Sequence, residues 1–405
     1  MNHDQFFAEA IADLKARGEY RVFADLERRT GEAPTARLLG ANAGDVTVWC
    51  SNDYLGMSQH PGVVDAMRRA AALHGVGAGG TRNIAGTHHD LVELERELAD
   101  LHGKEAALVF TSGYVANMAT LSTLARQMPA CVVFSDERNH ASMIEGIRHS
   151  GAERQVFLHS DPSDLEERLL RYPSNRPKIV ALESIYSMGG DVAPLRSIVD
   201  VATRHGALIY LDEVHAVGLC GPQGAGIAAR DGVADGVDVI QGNLAKAFGV
   251  VGGYIAGSAA LVDFVRSFAS GFIFTTALPP PVAAAALASV RHLRRSDCER
   301  IRLHERVSEV KQRLAEAGVP TLPSASHIVP IPVGDATRCR EISRRLLAEH
   351  RILVQAIFHP TVPRGAERLR VTPTPMHCAE DVERLVSALA SVWASLENPV
   401  SRFGV

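Results

Sequence analysis

Lys246 stands in Gly242-Asn243-Leu244-Ala245-Lys246-Ala247-Phe248-Gly249, a stretch of small residues with no competing charge. Upstream, Asp212-Glu213-Val214-His215 follows the apolar run Ala207-Leu208-Ile209-Tyr210-Leu211. That run reads as a buried parallel strand, so Asp212 emerges at its carboxyl end, where open α/β sheets bind ligands. An amine with room around it suits a Schiff base, and a buried carboxylate suits a pyridinium nitrogen. Together they describe a pyridoxal 5'-phosphate site. A lone loop lysine is most often solvated surface, so the pairing with Asp212 carries the argument.

Other polar residues fall at the ends of apolar runs. Thr111-Ser112-Gly113-Tyr114 follows one and opens a helical pattern. Its amides and hydroxyls suit a phosphate at a helix N-terminus, and they equally suit an ordinary helix cap. Asn139-His140 follows another run, and the imidazole is placed either to stack on a pyridine ring or to serve as a structural histidine. Glu183 and Ser187 come after the next run, and His215 lies three residues past Asp212. Each signal is weak alone. Four strand ends delivering polar groups to one sheet edge form a pattern.

The elements that must position these groups alternate. Strand-like runs recur at residues 106–110, 132–135, 179–182, 208–211 and 237–241, with 252–256 as a further strand. Helical patterns lie between them, as expected for a mostly parallel sheet covered on both faces. An N-terminal helix is expected over 5–17, a short strand over 47–50 and a helix over 63–73. An alanine-rich helix from about residue 280 leads to a charged helix around 305–317. A smaller α+β unit follows, with strands near 328–331 and 368–371. The expected division is residues 1–45 as helix and arm, 46–295 as the cofactor-binding large domain, and 296–405 as the C-terminal small domain.

Two motifs mislead. Gly75-Val76-Gly77-Ala78-Gly79-Gly80 has the dinucleotide-binding spacing, but it leaves a helix rather than a strand, so it reads as a loop giving close backbone access to a substrate. His88-His89-Asp90 suggests a metal, yet consecutive histidines point to different helix faces, and a solvated helix start is expected. No metal is expected.

Composition bounds the rest. At 405 residues and 46% hydrophobic, the chain can bury sizeable cores. A net charge of -4 gives no basic field for nucleic acid, and no apolar run reaches membrane length. Met1-Asn2-His3-Asp4 lacks the features of a targeting peptide. The six cysteines have no CxxC spacing and read as reduced, which suits a cytoplasmic protein.

The motifs Ser51-Asn52-Asp53-Tyr54-Leu55-Gly56, Gly79-Gly80-Thr81-Arg82-Asn83, Asn139-His140-Ala141-Ser142, Asp212-Glu213-Val214-His215 and Arg364-Gly365 to Arg370 resemble the α-oxoamine synthases. The likeness runs nearly end to end. It implies a fold-type I transferase that uses pyridoxal phosphate, working as a homodimer with the active site at the subunit boundary. By the same resemblance, its substrates are glycine and succinyl-CoA, condensed with loss of CO2.

The resemblance also implies roles. Lys246 would carry the cofactor and take the glycine α-proton, and Asp212 would pair with the pyridine nitrogen. His215 would bond the phenolic oxygen with Ser187 nearby, and His140 would stack on the ring. Thr275 and Thr276 match phosphate contacts lent by the second subunit. Arg370 would bind the glycine carboxylate, Thr81 would face its α-carbon, and Arg21 would pair with the succinyl carboxylate. Ser135, Arg154, Asn83 and Thr361 match further substrate contacts. Three positions depart from the family pattern: Asn243 where threonine is usual, Ala245 where glycine is usual, and Phe358 where asparagine is usual. A sister synthase with another amino acid or acyl-CoA, and a non-catalytic partner subunit of the same fold, stay open as alternatives.

Overall fold

The computed structural model describes residues 2–40 and 42–397. Contacts divide the described residues into two units, one of residues 55–187 and 192–299, the other of those up to 54, 188–191 and 300–397.

The first unit is built on seven strands: β1 (Ala106–Phe110), β2 (Val132–Asp136), β3 (Glu153–Phe157), β4 (Lys178–Glu183), β5 (Leu208–Asp212), β6 (Val239–Asn243) and β7 (Gly253–Gly257). Their spatial order is β1-β7-β6-β5-β4-β2-β3. Strands β6, β5, β4, β2 and β3 pair in parallel, whereas β7 is antiparallel to both β6 and β1. The carboxyl ends of all strands but β7 therefore share one edge, as the sequence pattern requires.

Two details differ from the sequence reading. Strand β3 was not expected: it reads Glu-Arg-Gln-Val-Phe and buries little but Phe157. An edge strand lacks the continuous apolar signature of a central parallel strand. Strand β6 starts and ends two residues later than 237–241, which puts Asn243 at its carboxyl end.

One face of the sheet is covered by helices Gly113–Gln127 and Ala141–Ser150. Leu121, Leu124, Met143 and Ile147 pack there against Leu108, Phe110, Val133, Ile179 and Tyr210. Helix Leu195–Arg204 is amphipathic and buries Leu195, Ile198, Val199, Val201 and Ala202. Each fully buried large apolar side chain stabilises the fold by about 1.5–3 kcal/mol.

The second unit contains an antiparallel three-stranded sheet of Val329–Pro332, Arg368–Val371 and Gln355–Ile357, with Arg368–Val371 in the middle. A four-stranded sheet joins Leu26–Glu27, Thr35–Leu38, Gly44–Val48 and Ile352–Leu353, the last pair parallel. The sequence reading expected only the strand near 47–50 from this set. The others are two to four residues long, too short to show periodicity. The N-terminal helix His3–Ala16 forms close to where it was expected and buries none of its residues.

In each unit there is a buried histidine whose charged form is strongly disfavoured by its burial. In the first, His102 bonds the Tyr254 hydroxyl at 2.8 Å and its pKa is pushed down to about 3. In the second, His377 stacks on Trp49 with centroids 3.7 Å apart and is pushed down to about 4. The unfolded chain binds these protons near pH 6.5 while the native protein refuses them. Their contribution is therefore complete above about pH 6.5 and is lost as pH falls toward the folded values. Between pH 7 and pH 5 the unfolding free energy should drop by about 2 kcal/mol per histidine. Urea titrations at the two pH values check this, and coincident midpoints would contradict it.

Candidate active site

Asp212 ends β5 in the first unit and is 2% exposed. Its Oδ2 accepts a 2.7 Å bond from Asn117 Nδ2, and its Oδ1 accepts the Val214 N–H at 2.9 Å. Asn117 is held in turn: its Oδ1 accepts from the Tyr210 hydroxyl at 2.8 Å, and its amide also donates to Ser142 Oγ at 3.0 Å. This orienting asparagine lies mid-helix in Gly113–Gln127, and the sequence reading missed it. An asparagine among the small and apolar residues of a helix that follows a core strand was the available signal.

Register sets Glu183 of β4 directly beside Asp212 of β5. Burial, and then the neighbouring Asp212 charge, push the Glu183 carboxyl well above its usual range, with Lys246 opposing. The Glu183 side chain keeps Oε1 buried without a hydrogen-bond partner among the described residues.

Lys246 follows β6, and its Nζ lies 2.8 Å from His215 Nε2. The intervening turn is fixed by Asn243, whose Oδ1 accepts the Ala245 N–H at 2.7 Å. That bond turns the amide nitrogen of Asn243 toward Gly113, where an added Cβ would sit 2.9 Å from Nδ2. Ala245 is not among the residues with positive φ, so this turn does not require glycine there. Ser112 caps the helix that Gly113 opens, its Oγ accepting the Val115 N–H at 3.2 Å. The close approach of β7 also requires glycine at 253, where a Cβ would come within 2.5 Å of the Gly113 Cα.

His140 caps helix Ala141–Ser150, with Nδ1 accepting the Ser142 N–H at 3.2 Å and lying 2.7 Å from Ser142 Oγ. Its ring is solvent-accessible but closely surrounded by protein, and this desolvation holds its pKa below the usual value, against the pull of Asp212. Tyr114 meets it edge-on at 6.4 Å. Asn139 is buried, donates to Ser135 Oγ at 2.9 Å and to the Ala181 carbonyl at 2.8 Å, and leaves Oδ1 without a partner among the described residues. Ser187 is half-buried shortly after β4. Arg154 is exposed on edge strand β3, opposite Val133, while Ser135 pairs with Val156.

The glycine-rich loop leaves helix Pro61–His74, as its sequence context required. Thr81 forms an antiparallel bridge with Thr276, supported by the Ala277 N–H on the Gly80 carbonyl at 3.0 Å. Gly86 underlies this crossing, since a Cβ there would meet the Gly80 oxygen at 2.4 Å. Arg82 anchors the loop through two bonds to Glu95, at 2.6 and 2.9 Å, and Glu95 also accepts the Val109 N–H. Sequence reading did not find that pair. Asn83 and Thr276 are exposed, and Thr275 bonds the Gly271 carbonyl at 2.6 Å. His88 is not simply a solvated helix start: it is half-buried and its Nε2 donates to the Leu278 carbonyl at 2.9 Å.

His60, His292 and Glu299 gather elsewhere in this unit. Their polar atoms serve one another and the chain, with His292 Nε2 on Glu299 at 2.8 Å and His60 Nδ1 accepting the Gly62 N–H.

The second unit has its own polar cluster. Thr372 bonds the Trp49 carbonyl through its N–H at 2.7 Å, which sets the strand Arg368–Val371 beside residues 49–54. Arg370, 6% exposed, thereby donates to Asn52 Oδ1 at 3.0 Å and to the Tyr54 hydroxyl at 2.9 Å. Arg21 donates to Thr361 Oγ1 at 3.2 Å, and its guanidinium lies 5.2 Å from the centre of the Phe358 ring. Two residues earlier, buried Glu19 takes hydrogen bonds from Arg364 at 2.7 and 2.9 Å and from Arg17 at 3.0 Å. These bonds, Arg364's first, hold the Glu19 carboxyl below its usual range.

The first unit's residues fit pyridoxal phosphate. A lysine nitrogen stands on an imidazole, a buried carboxylate is oriented by two donors, and the buried oxygens Asn139 Oδ1 and Glu183 Oε1 lack partners among the described residues. A helix N-terminus faces an amide that is turned toward it.

Residues 44–389 match the model of aminotransferase class I and II. A 5-aminolevulinate synthase from Rhizobium meliloti is 58% identical over 97% of this chain and 98% of its own length. The protein of that name from Bradyrhizobium diazoefficiens is 55% identical over 99% and 98%. Among solved structures, a serine palmitoyltransferase from Sphingomonas wittichii superposes with a TM-score of 0.89 at 30% identity, covering 97% of this chain and 98% of that one. The chain belongs to the aminotransferase class I and II family and, within it, to the 5-aminolevulinate synthases.

Proposed function

We propose that the protein condenses glycine with succinyl-CoA, releasing CoA and CO2 and giving 5-aminolevulinate for haem and tetrapyrrole synthesis. Near-full-length identity to synthases of that name supports the reaction. The observation that carries the acyl substrate is Arg21: it is exposed and makes no ion pair among the described residues, although a carboxylate lies two residues away. A guanidinium held only by a hydroxyl and a ring face keeps its donor fork for a ligand carboxylate.

Pyridoxal phosphate, when bound, supplies an electron sink for charge developing at the glycine α-carbon. Lys246 anchors it, and the same Nζ takes the α-proton. Asp212 holds a proton at the pyridine nitrogen. His215 and Ser187 bond the phenolic oxygen, His140 and Glu183 bound the ring, and Ser112, Gly113, Tyr114 and Asn243 hold the phosphate. Thr275 and Thr276 of a second copy complete that phosphate site in a cytoplasmic homodimer. Arg370 binds the glycine carboxylate, Thr81 and Asn83 contact the amino acid, Arg21 takes the acyl carboxylate, and Ser135, Arg154 and Thr361 contact the thioester substrate. The glycine α-carbon bonds the acyl carbon as the C–S bond breaks and CoA leaves as a thiol. The carboxylate is then lost as CO2, and the carbon takes a proton.

Thr81 sets the choice of amino acid. Its methyl crowds any side chain on the α-carbon, and one methylene-sized difference is worth about 1–3 kcal/mol of discrimination. Thr81→Ser should therefore raise the use of alanine or serine relative to glycine by about tenfold. Rates with the three amino acids and a panel of acyl-CoAs measure both choices, and an unchanged amino-acid ratio would show that Thr81 does not gate the pocket.

A further inference from the structure

We propose that Phe358 is the positioning residue for Arg21, giving it a platform that consumes none of its hydrogen-bond donors. The inference rests on the reading of Arg21 as the acyl-carboxylate site. Phe358 is 4% exposed, so its ring is fixed by packing, and the guanidinium lies over it at 5.2 Å. That separation is within the range of an attractive cation–ring contact. One Nη2 donor goes to Thr361, three residues along the same loop. A polar residue at position 358 would bring an oxygen that competes for the donor fork. A phenyl ring holds the cation through its quadrupole and leaves the fork for the ligand.

The charge nearby is arranged to the same end. Glu19 is the carboxylate close in sequence to Arg21, and it is occupied by Arg364 and Arg17. Its remaining neighbour is His359 Nδ1, 3.8 Å from Oε1. The loop that carries Phe358 and Thr361 thus also carries Arg364, the cation that satisfies Glu19. Arg21 is steadied by neutral groups while the competing anion is engaged elsewhere. The departure at position 358, phenylalanine where asparagine is usual, acquires a function.

The test compares kcat/KM of the holoenzyme for succinyl-CoA and for butyryl-CoA, which has the same chain length at the thioester and no terminal carboxylate. Phe358→Leu should lower the succinyl-CoA value about fivefold, chiefly through KM, and leave butyryl-CoA unchanged. Phe358→Tyr, which keeps the ring face, should stay within about twofold of the parent. Phe358→Met fills the same space without a ring and gives the same comparison if the leucine variant does not fold. An equal loss for both thioesters, or no loss for either, would make Phe358 a packing residue and overturn the proposal. Arg21→Leu is measured alongside: if it leaves the succinyl-to-butyryl ratio intact, the carboxylate reading itself fails.

Discussion

Lys246→Ala removes turnover, by at least about 10⁴-fold, because one nitrogen both anchors the cofactor and moves the proton. No other lysine is placed to substitute. Lys104 is held by the Ala234 and Val237 carbonyls and Lys178 by those of Pro173, Ser174 and Arg176. Lys311 bonds the Ser324 and Ser326 carbonyls, and Lys15 lies over the Tyr20 ring. Only Lys246 sets its nitrogen against an imidazole at the carboxyl edge of the sheet. Borohydride reduction followed by peptide mapping should label Lys246 in the parent protein. A label on another lysine would reassign the anchor. The variant should still bind the cofactor noncovalently, since Asp212, Asn117 and the helix at Gly113 are untouched.

Arg21→Leu should reduce kcat/KM for succinyl-CoA on the order of 100-fold while sparing butyryl-CoA. The selectivity of the loss is what distinguishes carboxylate recognition from structural damage. Arg21 is exposed and its contacts are Thr361 and Phe358, so its removal disturbs little packing. Steady-state kinetics with both thioesters check it. Equal losses, or an unaffected succinyl-CoA, would reopen the acyl substrate.

Much of the site was legible because strand ends carry it. Apolar runs ending in Asp212, Glu183 and Asn139-His140 mark central parallel strands, and their polar residues follow at the shared edge. What escaped the sequence lies where local pattern is silent. Asn117 sits inside a helix and acts on Asp212 through a contact 95 residues away in sequence. The Arg82–Glu95 anchor joins a loop to a helix, and each residue alone looks like surface charge. Strand β3 escaped because an edge strand need not be apolar, and the short strands at Leu26–Glu27 and Thr35–Leu38 escaped because so few residues show no period. Phe358 was legible only as a departure. Its contact with Arg21 spans most of the chain, and no spacing rule predicts such a contact.

The central claim is the reaction itself. Purified holoenzyme given glycine and succinyl-CoA should form 5-aminolevulinate, CoA and CO2 in equal amounts, and should form no 5-aminolevulinate when Lys246→Ala replaces it. Turnover of glycine with another acyl-CoA in preference to succinyl-CoA, or no product from a protein that carries its cofactor on Lys246, would contradict the account.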